Sequence, residues 1–475
     1  MTKRRTQAEG APTPADLVTP DLLARHDRPG PRYTSYPTAV EFTEEFTESD
    51  YRSRLASLDG SGGDSLSLYV HIPFCEERCS FCGCNVVITR KPEVSAAYLD
   101  HLHDEIDLLA AHLPRRRKLL QYHWGGGTPT YLSLPQIEAL QKKVLEHFEI
   151  GPDAEVAIEI DPRVTSREQL ELLRRLGFNR LSMGVQDFTL EVQEEVNRVQ
   201  SVEQTQAMMD AARDLGFGSV NIDLIYGLPL QTPGSFQRTL EIVTAMRPDR
   251  VAVYSFAYVP WIKGNQKSLE ENYLPDRDTK FELFARAIKT FLDAGYDQIG
   301  MDHFALPEDD MAKAVASRTL YRNFMGYTVH KARDFVGLGV SSIGFIGDAF
   351  AQNAKKLSRY YEALDAGRFP IERGYILNED DAVRQRVIME LMCNFYVDAA
   401  GVSSAFGIDF FDYFAPEMDE LAVPGGPASQ GFVEVRGGGI EVTPLGRLFI
   451  RNVAMVFDRY LREKTADKPL FSRTI

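Results

Sequence analysis

The chain alternates between short apolar segments, rich in β-branched and aromatic residues, and longer segments with helical periodicity. The apolar segments predict strands at positions 66–74, 119–124, 156–160, 180–185, 220–226, 251–256 and 298–301. Most are separated by patterns such as "AAYLDHLHDEIDLLAAHL" and "FELFARAIKTFLDAG", which repeat apolar residues every three or four positions. Repeated strand–helix units predict an α/β fold with a parallel sheet, and their number suits a full or a partial barrel. The strand count alone does not distinguish six strands from eight.

The pattern changes after about residue 306. A glycine-rich stretch is followed by the helical segments "DAVRQRVIMELMC" and "GRLFIRNVAMVFDRYLRE", with a predicted β-hairpin, "GFVEVRGGGIEVTPLG", before the second. Helices combined with a hairpin suggest a small winged-helix-like domain. We therefore divide the chain into a flexible arm (1–25), an ordered N-terminal segment (26–65), a barrel (66–306), a glycine-rich connection (307–350) and a mainly helical C-terminal domain (351–475).

Composition narrows the class of protein. A chain of 475 residues is long enough for more than one domain, and 44% hydrophobic and 25% charged residues are typical of soluble globular proteins. No apolar run approaches the length of a membrane span, and the N-terminus lacks the apolar core of a signal peptide, so we expect a cytoplasmic protein without a membrane span. The formal net charge of −15 argues against a nucleic-acid partner.

Four of the five cysteines lie in one short segment, "HIPFCEERCSFCGCN". In the cytoplasm such a cluster indicates metal binding or catalysis rather than disulfides. A structural zinc site usually takes further ligands from a second element, and the remaining Cys393 lies in a helical pattern where a buried small hydrophobe is the simplest interpretation. Cys75, Cys79 and Cys82 suit three irons of a [4Fe–4S] cluster, which would leave one iron open for reaction. Cys84 is ambiguous, and we favour a role other than ligand.

The sequence also resembles a known family. Cys75, Cys79, Phe81 and Cys82 reproduce the CxxxCxΦC signature of the radical S-adenosylmethionine (SAM) superfamily, where Φ is aromatic. Longer strings resemble one branch of it, the oxygen-independent coproporphyrinogen III oxidases (dehydrogenases): "PRYTSYPTA", "YVHIPFC", "HWGGGTPTYL", "VNRVQ", "NIDLIYGLP", "IGMDHFA" and the final "FSRTI". The resemblance covers all but about the first 25 residues and implies a partial, six-stranded (β/α) barrel.

The resemblance also implies a reaction. Such an enzyme converts two propionate side chains of coproporphyrinogen III to vinyl groups without oxygen, using a [4Fe–4S] cluster and two SAM molecules, in porphyrin and heme biosynthesis. It needs a low-potential electron donor and an electron acceptor, and the ordered segment 26–65 would cover the substrate. We expect a monomer. A heme-binding chaperone that shares the barrel and the cluster is the alternative, although the "CGC" and "VNRVQ" strings favour the enzyme.

Site residues are carried over from the family, position by position. The first SAM would contact Tyr69, Gly126, Glu159 and Ile343. The second would contact Phe81, Gly127, Thr128, Gln186, Arg198, Asp223 and Ala257.

Simpler interpretations of three of these features remain open. "GGGTP" also suits a bare strand-to-helix turn, and Glu159 suits a solvated acid at a strand end. Arg198 also suits an exposed helix arginine paired with Glu194 or Glu195.

An acidic protein that binds a tetra-anionic substrate must present local cations. Arg32, in the stiff "GPRYTSYPTA" segment, is one candidate, and Arg322, Arg447 and Arg451 are others. For each of them a surface or interdomain position is the better interpretation, so none is assigned to the site. His303 suits either acid–base chemistry or a hydrogen-bonded structural role, so the sequence assigns no catalytic residue.

Overall fold

The computed structural model describes residues 13–58, 65–113, 118–332, 334–463 and 471–474. The strands of these residues are, in chain order, β1 (Ser65–Ile72), β2 (Phe74–Cys75), β3 (Val87–Ile88), β4 (Lys118–Gly126), β5 (Glu149–Ile160), β6 (Arg180–Gln186), β7 (Ser219–Tyr226), β8 (Arg250–Ser255), β9 (Asp297–Ile299), β10 (His303–Ala305), β11 (Tyr321–Asn323), β12 (Gly326–Thr328), β13 (Phe335–Leu338), β14 (Ile343–Ile346), β15 (Ala349–Asn353), β16 (Ile371–Ile376), β17 (Tyr396–Asp398), β18 (Val433–Arg436) and β19 (Gly439–Val442).

The α-helices of the same residues alternate with the strands through most of the chain. They are α1 (Pro20–His26), α2 (Glu48–Ser57), α3 (Pro92–His112), α4 (Leu134–His147), α5 (Arg167–Arg175), α6 (Leu190–Glu195), α7 (Val202–Asp214), α8 (Pro233–Met246), α9 (Arg277–Asp293), α10 (Asp310–Ala316), α11 (Leu357–Asp365), α12 (Glu379–Asn394), α13 (Ala399–Phe406), α14 (Phe410–Tyr413), α15 (Ala415–Ala422), α16 (Pro444–Leu448), α17 (Ile450–Val456) and α18 (Arg459–Glu463). Short 3₁₀ helices occupy Pro14–Leu17, Pro129–Tyr131, Gly264–Ser268 and Glu271–Tyr273.

Six parallel strands form the centre of a twelve-stranded sheet. β1, β4, β5, β6, β7 and β8 are neighbours in that order and all run parallel. β13 also pairs parallel to β1, and antiparallel strands extend both edges, with β16 at one end and β9 at the other. These two end strands do not pair with each other, so the sheet is open. The predicted α/β fold and the partial, six-stranded barrel are confirmed.

The central strands separate a packed face from a polar interior. Along β6, Leu181, Met183 and Val185 are buried in the large core that also contains the helices, whereas Ser182 and Gln186 alternate with them and are half-buried. This alternation arises because successive strand side chains point to opposite faces. The barrel therefore offers polar side chains to its interior and its open end.

Side-chain caps set where several helices begin. Ser166, Ser201 and Thr232 each accept a hydrogen bond from a backbone N–H in the first turn of α5, α7 and α8, respectively. Each cap satisfies a donor that the helix itself leaves unpaired. α5 and α8 thus start at fixed points after β5 and β7, and α7 starts at a fixed point after α6.

The C-terminal helices form a second core together with the N-terminal residues. The core joins Val387, Leu391 and Phe449 to Leu23 and Tyr33. A three-stranded sheet, ordered β17, β19, β18, lies beside these helices and contains the predicted hairpin. Helices and a hairpin agree with the predicted winged-helix-like composition.

Three predictions about element placement differ from the structure. The predicted strand at 298–301 corresponds to β9, which is antiparallel to β10 and is not one of the parallel strands. The described part of the predicted flexible arm forms a 3₁₀ helix and α1, with Leu23 buried. The large sheet also continues past residue 351 to the end of β16, because β15 and β16 pair with each other. Within the described residues, no helix has the length and apolar character needed to cross a membrane.

Candidate active site

The cysteine loop follows β1, at the carboxyl end of the parallel strands. β2 and β3 pair parallel across the loop, with Phe74 opposite Val87 and Cys75 opposite Ile88. The Val87 N–H donates to the Pro73 carbonyl at 2.7 Å. In open α/β sheets this edge is where ligands bind, and the loop position agrees with that rule.

Polar groups approach each of the three thiols predicted to bind the cluster. Thr128 Oγ1 lies 3.5 Å from Cys75 Sγ, and the Cys84 N–H donates to Cys82 Sγ at 3.4 Å. Arg198 donates to Cys79 Sγ at 3.7 Å. Donors of this kind stabilise sulfur that carries negative charge.

The Cys82 and Cys84 thiols differ in how readily they ionise. The hydrogen bond from Cys84 lowers the pKa of Cys82, and the same contact raises the pKa of Cys84. The contact therefore favours ionisation of Cys82 over ionisation of Cys84. Burial raises the pKa of Cys75 to about 11, and its Thr128 contact opposes that effect.

The donor set fits an iron–sulfur cluster. The three predicted ligands come from one loop and are all free thiols. Among the described residues no three His, Cys, Asp or Glu side chains converge on a single metal ion. A cube that takes one thiolate on each of three irons needs no such convergence.

A buried carboxylate beside the loop holds two arginines. Asp161 Oδ2 lies 3.0 Å from Arg198 Nη1 and 2.7 Å from Arg163 Nη2. Both guanidinium groups also reach Cys79 Sγ, and Arg198 Nη2 donates to the Gly184 carbonyl at 2.6 Å. Although burial opposes it, the charges of Arg198 and Arg163 hold the pKa of Asp161 below its usual range.

These contacts exclude one of the two interpretations of Arg198. Its side chain is buried and pairs with Asp161, so it is not an exposed arginine paired with Glu194 or Glu195. Its Nε atom is buried without a partner among the described residues.

The glycine triplet brings the backbone after β4 against the cysteine loop. Gly127 N donates to the Ile72 carbonyl at 2.8 Å, and a Cβ on Gly127 would lie 2.6 Å from the Phe74 carbonyl oxygen. Gly126 has φ +117°, where a side chain is strained, and a Cβ there would meet the His71 ring. Only glycine allows this close approach of the two loops.

Glu159 ends β5 and contacts the glycine loop. Its Oε2 accepts from the Gly126 N–H at 3.0 Å, and its Oε1 lies 3.4 Å from His123 Nε2. Burial raises the pKa of Glu159, but the hydrogen bonds from His123 and Gly126 have a larger, opposite effect. The pKa of this carboxyl therefore lies below its ordinary range. Glu159 is thus an ionised acceptor at the barrel mouth, with further lone pairs available to a ligand.

Asp223 and Gln186 face the barrel interior from β7 and β6. Asp223 accepts from Ser182 Oγ at 3.1 Å and from Asn221 Nδ2 at 2.7 Å. Burial and the charge of Glu159 raise the pKa of Asp223 to about 6. Its neighbour Tyr254, at the end of β8, also lines this region.

One cavity of about 1200 Å³ joins these groups at the barrel mouth. Its lining includes most of the predicted site residues, namely Cys75, Cys79, Phe81, Cys82, Gly126, Gly127, Thr128, Glu159, Gln186, Arg198 and Asp223. The remaining three predicted residues are not part of this lining. Tyr69 stacks on His123, the Ala257 carbonyl accepts from Gln266, and Ile343 packs beside an aromatic cluster. The contacts of all these residues with SAM stay predictions.

Sequence analysis missed several residues that position the site. Asn265 Nδ2 donates to the carbonyls of Ser80 and Cys82 at 2.9 and 3.0 Å, and lies 3.4 Å from that of Cys79. Gln266 Nε2 donates to Phe81 and Ala257. Their segment carries no motif, so nothing local indicated them, whereas Asp161 follows a strand and could have been found as a second carboxylate after Glu159.

Comparison with known proteins agrees with the geometry. The family model described as the radical SAM superfamily matches residues 69–243, and the HemN C-terminal domain model matches residues 377–449. The chain is 46% identical to the oxygen-independent coproporphyrinogen III oxidase of Escherichia coli, strain K12, over 96% of this chain and 98% of the relative. It is 45% identical to the oxidase of Pseudomonas aeruginosa, over 96% and 98% of the two chains.

A solved structure of coproporphyrinogen III oxidase (HemN) from Escherichia coli, described as a radical SAM enzyme, superposes with a TM-score of 0.86. The match covers 90% of this chain and 97% of that chain, at 46% identity. The radical SAM superfamily uses a [4Fe–4S] cluster and SAM, which fits the thiols and the cavity described above. The chain belongs to the oxygen-independent coproporphyrinogen III oxidases of the radical SAM superfamily.

Proposed function

We propose that this protein oxidatively decarboxylates two propionate side chains of coproporphyrinogen III to vinyl groups, giving protoporphyrinogen IX without oxygen. The observation that carries the proposal is the cavity in which the cysteine loop, the glycine loop and the polar ends of β5, β6 and β7 meet. The sequence identity of 46% to the Escherichia coli oxidase extends over nearly the whole chain and includes both domains.

The bound cluster and SAM together supply a 5′-deoxyadenosyl radical able to take hydrogen from an unactivated carbon. For each propionate, one hydrogen atom leaves the β-carbon, carbon dioxide leaves from the carboxylate and one electron passes to an acceptor. The carbon skeleton is left as a vinyl group. The reaction therefore requires a low-potential electron donor to reduce the cluster and an acceptor for the remaining electron.

The chain's own residues bind and orient these groups. Cys75, Cys79 and Cys82 hold the cluster, and the Glu159 carboxylate accepts from the ribose hydroxyls of the first SAM. The Nε of Arg198, which has no partner among the described residues, would bind the carboxylate of a second SAM, while the other nitrogens stay on Asp161 and Gly184. A guanidinium fixed on one side and free on the other suits a ligand carboxylate.

Two further properties complete the proposal. The enzyme works in the cytoplasm, where the cluster thiols stay reduced before assembly. It acts as a monomer.

Anaerobic turnover tests the reaction. Protein with its cluster, SAM, a low-potential reductant and an electron acceptor should convert coproporphyrinogen III to a divinyl product and release two carbon dioxides per substrate. Deuterium at the propionate β-carbons should appear in 5′-deoxyadenosine. Cluster-loaded protein that cleaves SAM but leaves both the carboxylates and the label untouched would contradict the proposal and favour a heme-binding chaperone.

Equilibrium binding tests the second SAM site. Cluster-loaded protein should bind close to two SAM molecules per chain, and Arg198→Ala should weaken one site while leaving the other. A stoichiometry of one in saturated wild-type protein would remove the second site.

A further inference from the structure

Two cations lie side by side at the carboxyl end of β8. Lys280 Nζ donates to the Phe256 carbonyl at 3.1 Å, and Arg32 Nη2 donates to the Ser255 carbonyl at 2.5 Å. These carbonyls belong to consecutive residues, and the two cations are near enough for the charge of Arg32 to lower the pKa of Lys280. We call Arg32 and Lys280 the β8 cation pair.

The fold leaves a specific place for Lys280. It lies in the first turn of α9, which Asp276 caps by accepting from Thr279 N at 2.8 Å. Its aliphatic stem crosses Gly227, which has φ +85°, and a Cβ on that glycine would lie 2.8 Å from Lys280 Cε. The lysine is therefore directed inward along the end of β7 instead of outward to solvent.

Buried guanidinium groups fix the backbone that carries Arg32. Arg451 donates to the Pro31 carbonyl at 2.9 Å and also to the Gly30 carbonyl. Arg322 Nη1 donates to the carbonyl of Arg32 itself at 2.7 Å. Both of these arginines are buried, so the N-terminal segment is held in place and the half-exposed Arg32 side chain points to the end of β8.

The β8 cation pair has no carboxylate of its own. Among the described residues its hydrogen bonds go to backbone carbonyls, and neither member forms an ion pair. The nearby Asp27 already pairs with Arg473 at 2.5 Å. Burial, together with the charges of Arg32 and Arg451, lowers the pKa of Lys280 to about 8. Two like charges with so little compensation cost free energy, and a bound anion would offset that cost.

We propose that the β8 cation pair binds a carboxylate of the substrate, and that this carboxylate belongs to a propionate that the reaction retains. The inference rests on the proposed function. Ser255, whose carbonyl accepts from Arg32, directly follows Tyr254, which lines the cavity, so the pair lies at the end of a strand that reaches the cavity. A carboxylate that leaves as carbon dioxide must give up its charge, and an ion pair stabilises the charged form. The pair therefore suits a propionate that anchors the ring while another one reacts.

Steady-state kinetics of the cluster-loaded enzyme test this site. Lys280→Met and Arg32→Gln should each raise the KM for coproporphyrinogen III at least tenfold, change kcat less than twofold and leave the dissociation constant of SAM unchanged. Lys280→Arg should keep the KM for coproporphyrinogen III close to the wild-type value. The matched control is Lys289→Met, on the exposed side of α9 where Lys289 pairs with Asp293 at 2.9 Å, and it should behave as wild type.

The outcomes separate the two proposals. If the wild-type enzyme turns over, but Lys280→Met and Arg32→Gln both have a KM within twofold of that of Lys289→Met, the carboxylate site is overturned and the proposed function stays intact. A fall in kcat at constant KM would also overturn it, because that result indicates a structural role. If wild-type enzyme does not decarboxylate coproporphyrinogen III, the proposed function fails first. Should Lys280→Met reduce folding, Arg32→Gln carries the test, since Arg32 is half-exposed.

Discussion

Cations lie at two places around the barrel mouth, and they are compensated in different ways. Beside the cysteine loop, Arg163 and Arg198 share the buried carboxylate of Asp161. At the end of β8, Arg32 and Lys280 have only backbone carbonyls as partners within the described chain. One carboxylate of the protein compensates part of the charge of the first group, whereas no carboxylate among the described residues pairs with the second.

The difference indicates two uses of a positive charge. A buried guanidinium that is paired with a carboxylate is held in position, because separating the two groups would leave an uncompensated buried charge. Such a pair makes the surrounding loops more rigid. Asp161 and its arginines therefore fix the cysteine loop. An unpaired cation attracts an anion from outside the protein, as substrate carboxylates require. The predictions below probe the two regions separately, starting with the largest expected effect.

Replacing any one of Cys75, Cys79 or Cys82 with alanine should abolish the cluster and all turnover, because each thiolate holds a different iron. Iron content and the visible absorption of anaerobically prepared protein measure the loss. Cys84→Ala is the control within the same loop and should keep its iron. Loss of the cluster in Cys84→Ala would show that the ligand assignment is wrong.

Asp161→Asn should lower the free energy of unfolding by about 3 kcal/mol, because two guanidinium groups lose the carboxylate between them. Urea unfolding of cluster-free protein followed by tryptophan fluorescence measures the change. Adding Arg198→Gln should recover part of the loss, since it removes one of the unpaired charges. Asp153→Asn, at an exposed position of β5, the strand that Asp161 follows, is the control. A change below about 1 kcal/mol in Asp161→Asn would mean that the paired region adds little rigidity.

The paired region was only partly predictable from the sequence. The cysteine spacing and the glycine triplet are local patterns, so they predicted the loops that the structure brings together. Spacing alone left Arg198 undecided between a helix surface and a ligand site. Its partner Asp161 lies 37 residues earlier, directly after β5, whereas Arg198 follows α6, and only the folded barrel brings the two together.

The cation pair at β8 was less predictable still. Arg32 stood out because of its stiff segment, but Lys280 carries no motif and resembles any lysine at the start of a helix. The antiparallel strands β14, β15 and β16 were missed for a related reason. All three are short, β14 and β16 each contain a glycine, and short strands are specified by their neighbours in the sheet more than by their own periodicity.

Asn265→Ala should lower the free energy that stabilises the folded position of the cysteine loop by about 2 kcal/mol, because the side-chain amide contacts three loop carbonyls. Iron should then pass to a chelator about thirtyfold faster than from wild-type protein. Lys267→Ala, an exposed neighbour, is the control and should release iron at the wild-type rate. Equal rates in the two variants would show that the amide does not hold the loop.

The smallest expected effect is a pH dependence at the cation pair. Lys280 has a pKa of about 8, with Arg32, Arg451, Arg473 and Asp27 as the charged groups that act on it. A bound carboxylate favours the protonated lysine, so substrate affinity should be full below that pKa and fall as the pH rises through it. The KM for coproporphyrinogen III should therefore rise about tenfold from pH 7 to pH 9, with little change in kcat. Lys280→Arg should keep a flat KM across this range, because arginine stays charged. A wild-type KM that does not change between pH 7 and pH 9 would show that the charge of Lys280 plays no part in binding, and would remove the contrast between the two regions.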